Sequence, residues 1–536
     1  MRSRYVTSAV VAGLLSLGAA ACGIPRPSMP QGIFPREMPR VPPADAAAAR
    51  VPPGYRVEVV VRDLIYPTSV EFDDRGNLYV AEGGYTYGDP VAPPRILRIT
   101  PAGEMAYVAE ANTGLMGPIT DIMWHQGQLY VSHFNKISVL GTDGTLRDLV
   151  TDLPASSGHF SSQMSVGPDG RIYFGVGAFT DAGVVGLDQA WPFLGLALWP
   201  NMSDVPARDI RLRGESFLTP HPNNVLARQG RLVSLWSNVR YVMASLFNRN
   251  PDRSMLARTG AFQPFGVSGN RVIRGQVKAN AAILRMNADG SGLEVFAWGL
   301  RNPFGVRWGP DGRLYASDNG YDERGSRPIA NAEDNVWVVR EGAWYGWPDY
   351  SSGIPVTDPR FNSTRGPRPE FLLADHPPVE RPLFTRPKHA GVTKFDFSRS
   401  SRFGFEGQMF LGEFGAGLPI TGTEKVPTGH QVVRIDPATG QMEWFFTAQP
   451  AALGPEGMEY VVTGAPKHPV DVRFSPDGNA MYIADIGALT VFLAGPAPFP
   501  RPFPGTGVIW RVTRDGVPAS GPPANLSPLP PRARLR

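Results

Sequence analysis

The sequence predicts an all-β fold, a six-bladed propeller, and three observations carry that expectation. A hairpin of two short apolar strands around a turn occurs six times. Most copies are followed by a third apolar strand, so each repeat reads as one small antiparallel sheet. The last strand, Gly507 to Val512, has no partner after it, and Tyr55 to Val61 alternates as a strand before the first repeat. Pairing these two closes the ring and removes the open edge.

The repeats follow in order. Val70-Glu71-Phe72 leads through Asp74-Arg75-Gly76 to Leu78-Tyr79-Val80, and Ile122-Met123-Trp124 through Gln126-Gly127 to Leu129-Tyr130-Val131. Ser165-Val166 leads through Pro168-Asp169-Gly170 to Ile172-Tyr173-Phe174. The fourth copy runs from Arg301-Asn302 through Pro310-Asp311-Gly312 to Leu314–Ser317 and ends in Asp318-Asn319-Gly320. Phe395-Asp396-Phe397 leads to Met409-Phe410-Leu411, and Val472-Arg473-Phe474 through Pro476-Asp477-Gly478 to Met481-Tyr482-Ile483. Third strands are Ile96–Ile99, Ile283–Met286, Val432–Ile435 and Val508–Arg511. Two insertions interrupt the spacing. Ala178 to Asn280 separates the second and third strands of blade three, and Asp349 to Pro387 lies between blades four and five. Long insertions of this kind form loops over one face or pack on themselves. Leu232 to Phe247 is apolar enough for a helix or a partner contact, and Arg228 to Arg274 is rich in arginine.

Composition narrows the function. The formal net charge is +4 over 536 residues with no run of basic side chains, which argues against nucleic-acid binding. One cysteine, Cys22, excludes an intrachain disulfide, a Cys-x-x-Cys-His haem site and a cysteine zinc cluster. Residues 1–22 read as an export signal: Arg2 and Arg4, an apolar run from Val10 to Ala21 too short to span a bilayer, then Cys22. Small residues ending in cysteine resemble the bacterial lipoprotein signal, which implies lipidation of Cys22 and a protein held at the cell envelope, facing the periplasm or the outside. Residues 23–53 read as a Pro/Ala-rich tether, 54–514 as the propeller, and 515–536 as a Pro-rich disordered tail.

Register places three basic positions together. Arg301 stands seven residues before Trp308, His159 seven before Val166, and Lys467 seven before Phe474, with His468 beside it. Equivalent positions in a closed repeat converge on the axis, so these residues are expected to form a positive pocket with a base in it.

The blocks G-L-R-N-P-F-G, P-D-G, S-D-N-G and G-A-W-Y-G-W-P, with H-F-S-S-Q-M-S-V-G-P-D-G, resemble the soluble glucose/sorbosone dehydrogenase family over roughly Val57 to Val512. The resemblance implies a six-bladed propeller that binds pyrroloquinoline quinone (PQQ) and calcium and oxidises a sugar, aldose, aldehyde or alcohol. It implies that His159 is the base, Arg301 the group facing the quinone oxygen, and Asn302 a cofactor contact. It further implies cofactor contacts at Asn112, Lys425, Lys467 and His468. Calcium would lie at Asp318, Asn319, Gly320 and Tyr321, with Asp334 and Tyr345 nearby. The sequence departs from the family at Gly158, where aspartate is common, at Asn112 in place of glutamine, and at His468 and Val470 in place of paired arginines. With no haem motif, electrons would pass to a separate quinone or cytochrome. Two other functions fit the same repeats: a surface-anchored binding or scaffold propeller without cofactor, and a calcium-dependent lactonase.

Overall fold

The computed structural model describes residues 41–83, 93–141, 143–154, 159–190, 202–220, 256–416, 428–452, 463–494 and 497–530. Six antiparallel sheets of at least four strands stand around one axis. Their inner strands are Ser69–Phe72, Ile119–His125, Ser161–Val166, Pro303–Trp308, Val392–Phe397 and Pro469–Phe474. The ring closes as expected, with Tyr55–Leu64 pairing antiparallel to Gly507–Arg514 as the outer strand of blade six.

The turn chemistry repeats with the sequence. In the Pro-Asp-Gly turns the aspartate accepts an amide two residues on, as Asp169 does from Arg171 (3.1 Å) and Asp311 from Arg313 (3.1 Å). Gly170, Gly312 and Gly478 take positive φ (73°, 75° and 70°), which glycine adopts without strain. The tyrosine four residues after the aspartate returns its hydroxyl to that carboxylate, Tyr173 at 2.9 Å and Tyr315 at 2.7 Å.

Blades are joined by apolar packing and by hydroxyls. One core cluster holds Tyr173, Val306 and Trp337 of blades three and four, and another holds Tyr315, Phe395 and Leu411 of blades four and five. Near the start of the inner strands, hydroxyls bond to the neighbouring blade. Thr68 donates to the Ile119 carbonyl (2.7 Å), Ser162 to Pro303 (2.5 Å), Ser317 to Thr393 (2.5 Å) and Thr393 to Pro469 (3.3 Å). The register shifts just inside five inner strands, at Ile119/Asp121, Ser161/Met164, Pro303/Gly305, Val392/Phe395 and Pro469/Asp471. Bulges of this kind re-aim the side chains at one end of the axis.

The middle of the axis is spanned by charge. Lys394 of blade five, fully buried, bonds to Asp121 of the opposite blade two (3.1 Å), to Asp471 of blade six (3.3 Å) and to the Thr120 carbonyl (2.9 Å). Ser69 adds bonds to both carboxylates (3.0 and 2.9 Å).

Three features differ from expectation. The second insertion falls inside blade four, because Phe384–Arg386 returns to pair with Asp334–Val339 as the fourth strand. Ala49 and Arg50, expected in a flexible tether, add a fifth strand to blade five by pairing with Ala448 and Thr447. The tail after Asp515 packs back rather than standing free: Arg511 donates to the Pro522 carbonyl (2.6 Å), and Leu526 lies against the blade-six core. Proline removes the amide needed for a ladder, but its ring and carbonyl still pack and accept, so a Pro-rich composition did not exclude order here. The two insertions also pack together, with Ile210, Leu212 and Phe217 of the first against Trp347, Phe361 and Leu372 of the second. Leu232 to Phe247 lies outside the described residues.

Candidate active site

His159 sits just before the inner strand of blade three and is 6% exposed. Its Nδ1 lies 2.8 Å from the Ala178 carbonyl. A carbonyl only accepts, so Nδ1 carries the ring proton and Nε2 keeps the lone pair. Burial, reinforced by the positive charges of Arg301 and Arg324, holds the His159 pKa well below its ordinary value. The ring is therefore neutral at neutral pH, the form a base requires.

The Ala178 peptide ties this histidine to blade four, because its N–H donates to the Arg301 carbonyl (2.7 Å). Asn302 reaches the same spot. A methyl group on Gly177 would collide with His159 Cβ and stand 2.9 Å from Asn302 Oδ1. Glycine at 177 therefore lets the base and the amide share one wall. Asn302 Nδ2 donates to Asn319 Oδ1 (2.8 Å), while its Oδ1 is buried without a partner. The structure thus brings His159, Arg301 and Asn302 together.

Arg301 is not a free cation. Its guanidinium bonds to the Asp181 carboxylate, to the Asp181 carbonyl (3.2 Å) and to Asp322 Oδ2 (3.0 Å). Arg324 shares Asp322 at 3.0 Å, and His389 stands 4.0 Å from its other oxygen. Burial works to raise the Asp322 pKa, but Arg301 and Arg324 outweigh it and hold the carboxyl below its ordinary value. Burial raises Asp181 to about 6 against the pull of Arg301. Two guanidiniums thus face two carboxylates. Sequence reasoning missed Asp181, Asp322 and Arg324. Asp181 lies in an insertion without repeat register, and Asp322 and Arg324 lie just past the last residue that register could place.

The other expected contacts divide. Asn112 is exposed, in a short 3-10 turn before blade two. Lys467 and His468 stand just before the inner strand of blade six and bond within blades five and six. The Lys467 ammonium donates to the Thr463 and Ala465 carbonyls of its own loop (2.7 and 2.9 Å), and burial lowers its pKa. His468 Nδ1 lies 2.8 Å from the Phe414 carbonyl, its ring stacks on Phe414, and burial pushes its pKa down to about 4. Lys425 and Cys22 lie outside the described residues.

The expected calcium residues act as loop caps. Asp318 accepts the Asn302 amide (2.7 Å) and the Trp337 indole (3.4 Å), and burial raises its pKa to about 7. Asp334 accepts the amides of Gly320 (2.8 Å), Gly391 (2.6 Å) and Val392 (3.2 Å), and burial raises it to about 6. The Tyr321 hydroxyl donates to the Tyr350 carbonyl (3.0 Å). Tyr345 does not join this loop: its hydroxyl lies between the Val338 carbonyl (3.0 Å) and the Arg340 amide (2.8 Å), and Trp337 is the ring that reaches Asp318. Among the described residues no three His, Cys, Asp or Glu side chains are grouped to hold a metal. Calcium needs six to eight oxygens, and these carboxylates are already occupied by N–H groups, so this donor set does not fit it.

A closed six-bladed propeller with a neutral histidine, an arginine and an amide at one end of the axis is the class of protein that fold and site define. Comparison with known proteins agrees on the fold. Residues 273–433 match the Glucose / Sorbosone dehydrogenase family, which bears out the resemblance read from the R-N-P and Y-G-W-P blocks. Quinoprotein glucose dehydrogenase B of Acinetobacter calcoaceticus is 22% identical over 202 residues, 38% of this chain and 28% of that protein's length. The holo form of the pyranose dehydrogenase PQQ domain from Coprinopsis cinerea superposes with a TM-score of 0.51 at 14% identity, over 89% of this chain and 98% of that one. The calcium structure of Trichoderma reesei carbohydrate-active enzymes family AA12 gives 0.50 at 14%, over 89% and 99%. At this identity the two structures establish the shared fold.

Proposed function

We propose that the protein is a PQQ-dependent dehydrogenase that oxidises a hydroxyl of a sugar, aldose or related compound, with His159 as the base. The observation that supports this most is the state of His159: neutral, with its tautomer fixed by the Ala178 carbonyl and its lone pair on Nε2.

Arg301 stands beside His159 as a donor that would face the quinone oxygen of such a cofactor, and the unpartnered Asn302 oxygen is an acceptor for a hydroxyl or N–H group there. PQQ, when bound, supplies a quinone that accepts the hydride from the substrate carbon. His159 Nε2 takes the proton of the substrate hydroxyl, so that the C–H leaves as hydride and the C–O bond becomes a carbonyl. Arg301 is held by Asp181 and Asp322 in one position, which favours negative charge developing beside it without reorganisation. A separate quinone or cytochrome would be the final electron acceptor. Lipidation at Cys22 places this activity on a membrane facing the periplasm or the outside.

A second reading, a surface-anchored binding propeller without cofactor, is favoured by the pairing of both arginines with carboxylates. An assay with PQQ, calcium, a panel of aldoses and an artificial electron acceptor separates the two. Turnover that His159→Gln lowers by roughly 10²–10⁴ supports the dehydrogenase. No turnover with any aldose, or equal turnover by the variant, overturns it.

A further inference from the structure

The end of the axis opposite His159 holds a cavity of about 640 Å³. It is lined by the last residues of the inner strands and the turns that follow them. The Lys394 cluster lies between it and the site above.

One register position in four successive blades puts alternating charges around this cavity: Arg307, Asp396, Arg473 and Glu71 of blades four, five, six and one. Arg307 pairs with Asp396 at 3.3 Å and Arg473 with Glu71 at 3.0 Å. Arg399, its side chain 48% exposed at the mouth, also reaches Asp396 at 3.0 Å.

The hydrogen-bonding capacity of the wall is lopsided. Its inner carboxylates are taken up, while His125 Nε2, donor or acceptor according to tautomer, is buried without a partner. Asp396 accepts the amides of Phe397 (2.8 Å) and Phe474 (3.0 Å) besides Arg399. Asp73 and Asp477 bond with both oxygens within or beside their own turns, and Asp74 receives the Trp124 indole (3.0 Å). Its donors are not all taken up, because Arg307 Nε and Trp308 Nε1 are buried without a partner. An unpaired buried donor costs roughly 1–3 kcal/mol, so a ligand that brings acceptors is favoured here. Burial pushes Glu71 up to about 8 despite Arg307, and three guanidiniums, Arg307, Arg399 and Arg473, stand among the carboxylates of this wall.

We propose that this cavity binds a small oxyanion, a carboxylate or phosphate group held by Arg307, Arg399 and the Trp308 indole N–H. The site is separate from the His159 site and independent of the activity proposed for it.

Calorimetric titration of the full-length protein with inorganic phosphate, with gluconate and with uncharged glucitol tests the proposal. Saturable binding of phosphate alone assigns a phosphate ligand, and binding of gluconate alone a carboxylate. Arg399→Gln is expected to weaken the bound anion about tenfold, the scale of one charge-assisted hydrogen bond. Trp308→Phe keeps the ring and removes the donor, and is expected to weaken it several-fold. His159→Gln is expected to leave the affinity unchanged. A loss in either cavity variant, with the urea unfolding midpoint retained, supports the proposal. No binding of either anion, equal binding of glucitol, an affinity unchanged in both cavity variants, or a loss confined to His159→Gln overturns it. Because Arg399 is half exposed, its variant reads binding even if a change at Trp308 disturbs folding.

Discussion

Asp322 lies 3.0 Å from both site arginines, so Asp322→Asn is a sharp perturbation of the site. The wild-type cluster sets two guanidiniums against Asp181 and Asp322. The substitution leaves Arg301, 4% exposed in its side chain, and Arg324 with one carboxylate between them. Breaking a buried pair by removing one partner costs about 3–5 kcal/mol. The Asp322 side chain is 16% exposed and asparagine keeps an acceptor oxygen, so a loss of about 2–3 kcal/mol is expected. Urea unfolding followed by tryptophan fluorescence measures it. The pH dependence is a second check. The pKa of Asp322 is held below its ordinary value, so its contribution is fully present above the unfolded-state pKa of about 4 and is lost as pH falls through the lower folded value. The gap between wild type and variant should hold from pH 7 to about 5 and close only below the ordinary carboxylate range. The same change frees positive charge beside His159 and should tighten any anionic cofactor. Stability within about 0.5 kcal/mol of wild type at pH 7 would refute the shared-carboxylate account.

Two further substitutions test other parts of the structure. Lys394→Met leaves Asp121 and Asp471 buried without their cation and should cost about 3–5 kcal/mol in urea unfolding; a neutral effect would show that the axial cluster adds nothing. His468 resists protonation in the folded state, with a pKa of about 4, whereas the unfolded chain takes the proton near 6.5. Wild type should therefore lose about 3 kcal/mol relative to His468→Gln as pH falls from about 6.5 to about 4, and parallel stability curves would contradict that.

The frame of this protein was legible because its signals are local. A Pro-Asp-Gly turn between apolar strands states its own geometry, and six copies fix the blade count. Closure was legible because one terminal strand had no partner after it. His159, Arg301 and Lys467 could be aligned because they stand at one fixed offset from those turns, whereas Asn302 entered through the family resemblance. What escaped depends on groups distant in sequence. Asp181 lies 120 residues from Arg301, and nothing in either segment marks the pairing. The last strand of blade four was hidden because a long insertion precedes Phe384–Arg386 and the strand is only three residues long. The roles of Asp318 and Asp334 were ambiguous in principle, because a carboxylate in a Gly/Asn loop suits a cation or a backbone amide equally well, and only geometry shows that amides occupy them.

The most direct test of the central claim is titration of the purified protein with PQQ in the presence and absence of calcium, followed by absorbance and thermal melting. The account predicts saturable PQQ binding that raises the melting temperature and is strengthened by Asp322→Asn. No binding by wild type or by that variant, at PQQ far above physiological levels, would contradict the dehydrogenase reading and leave the propeller as a binding protein.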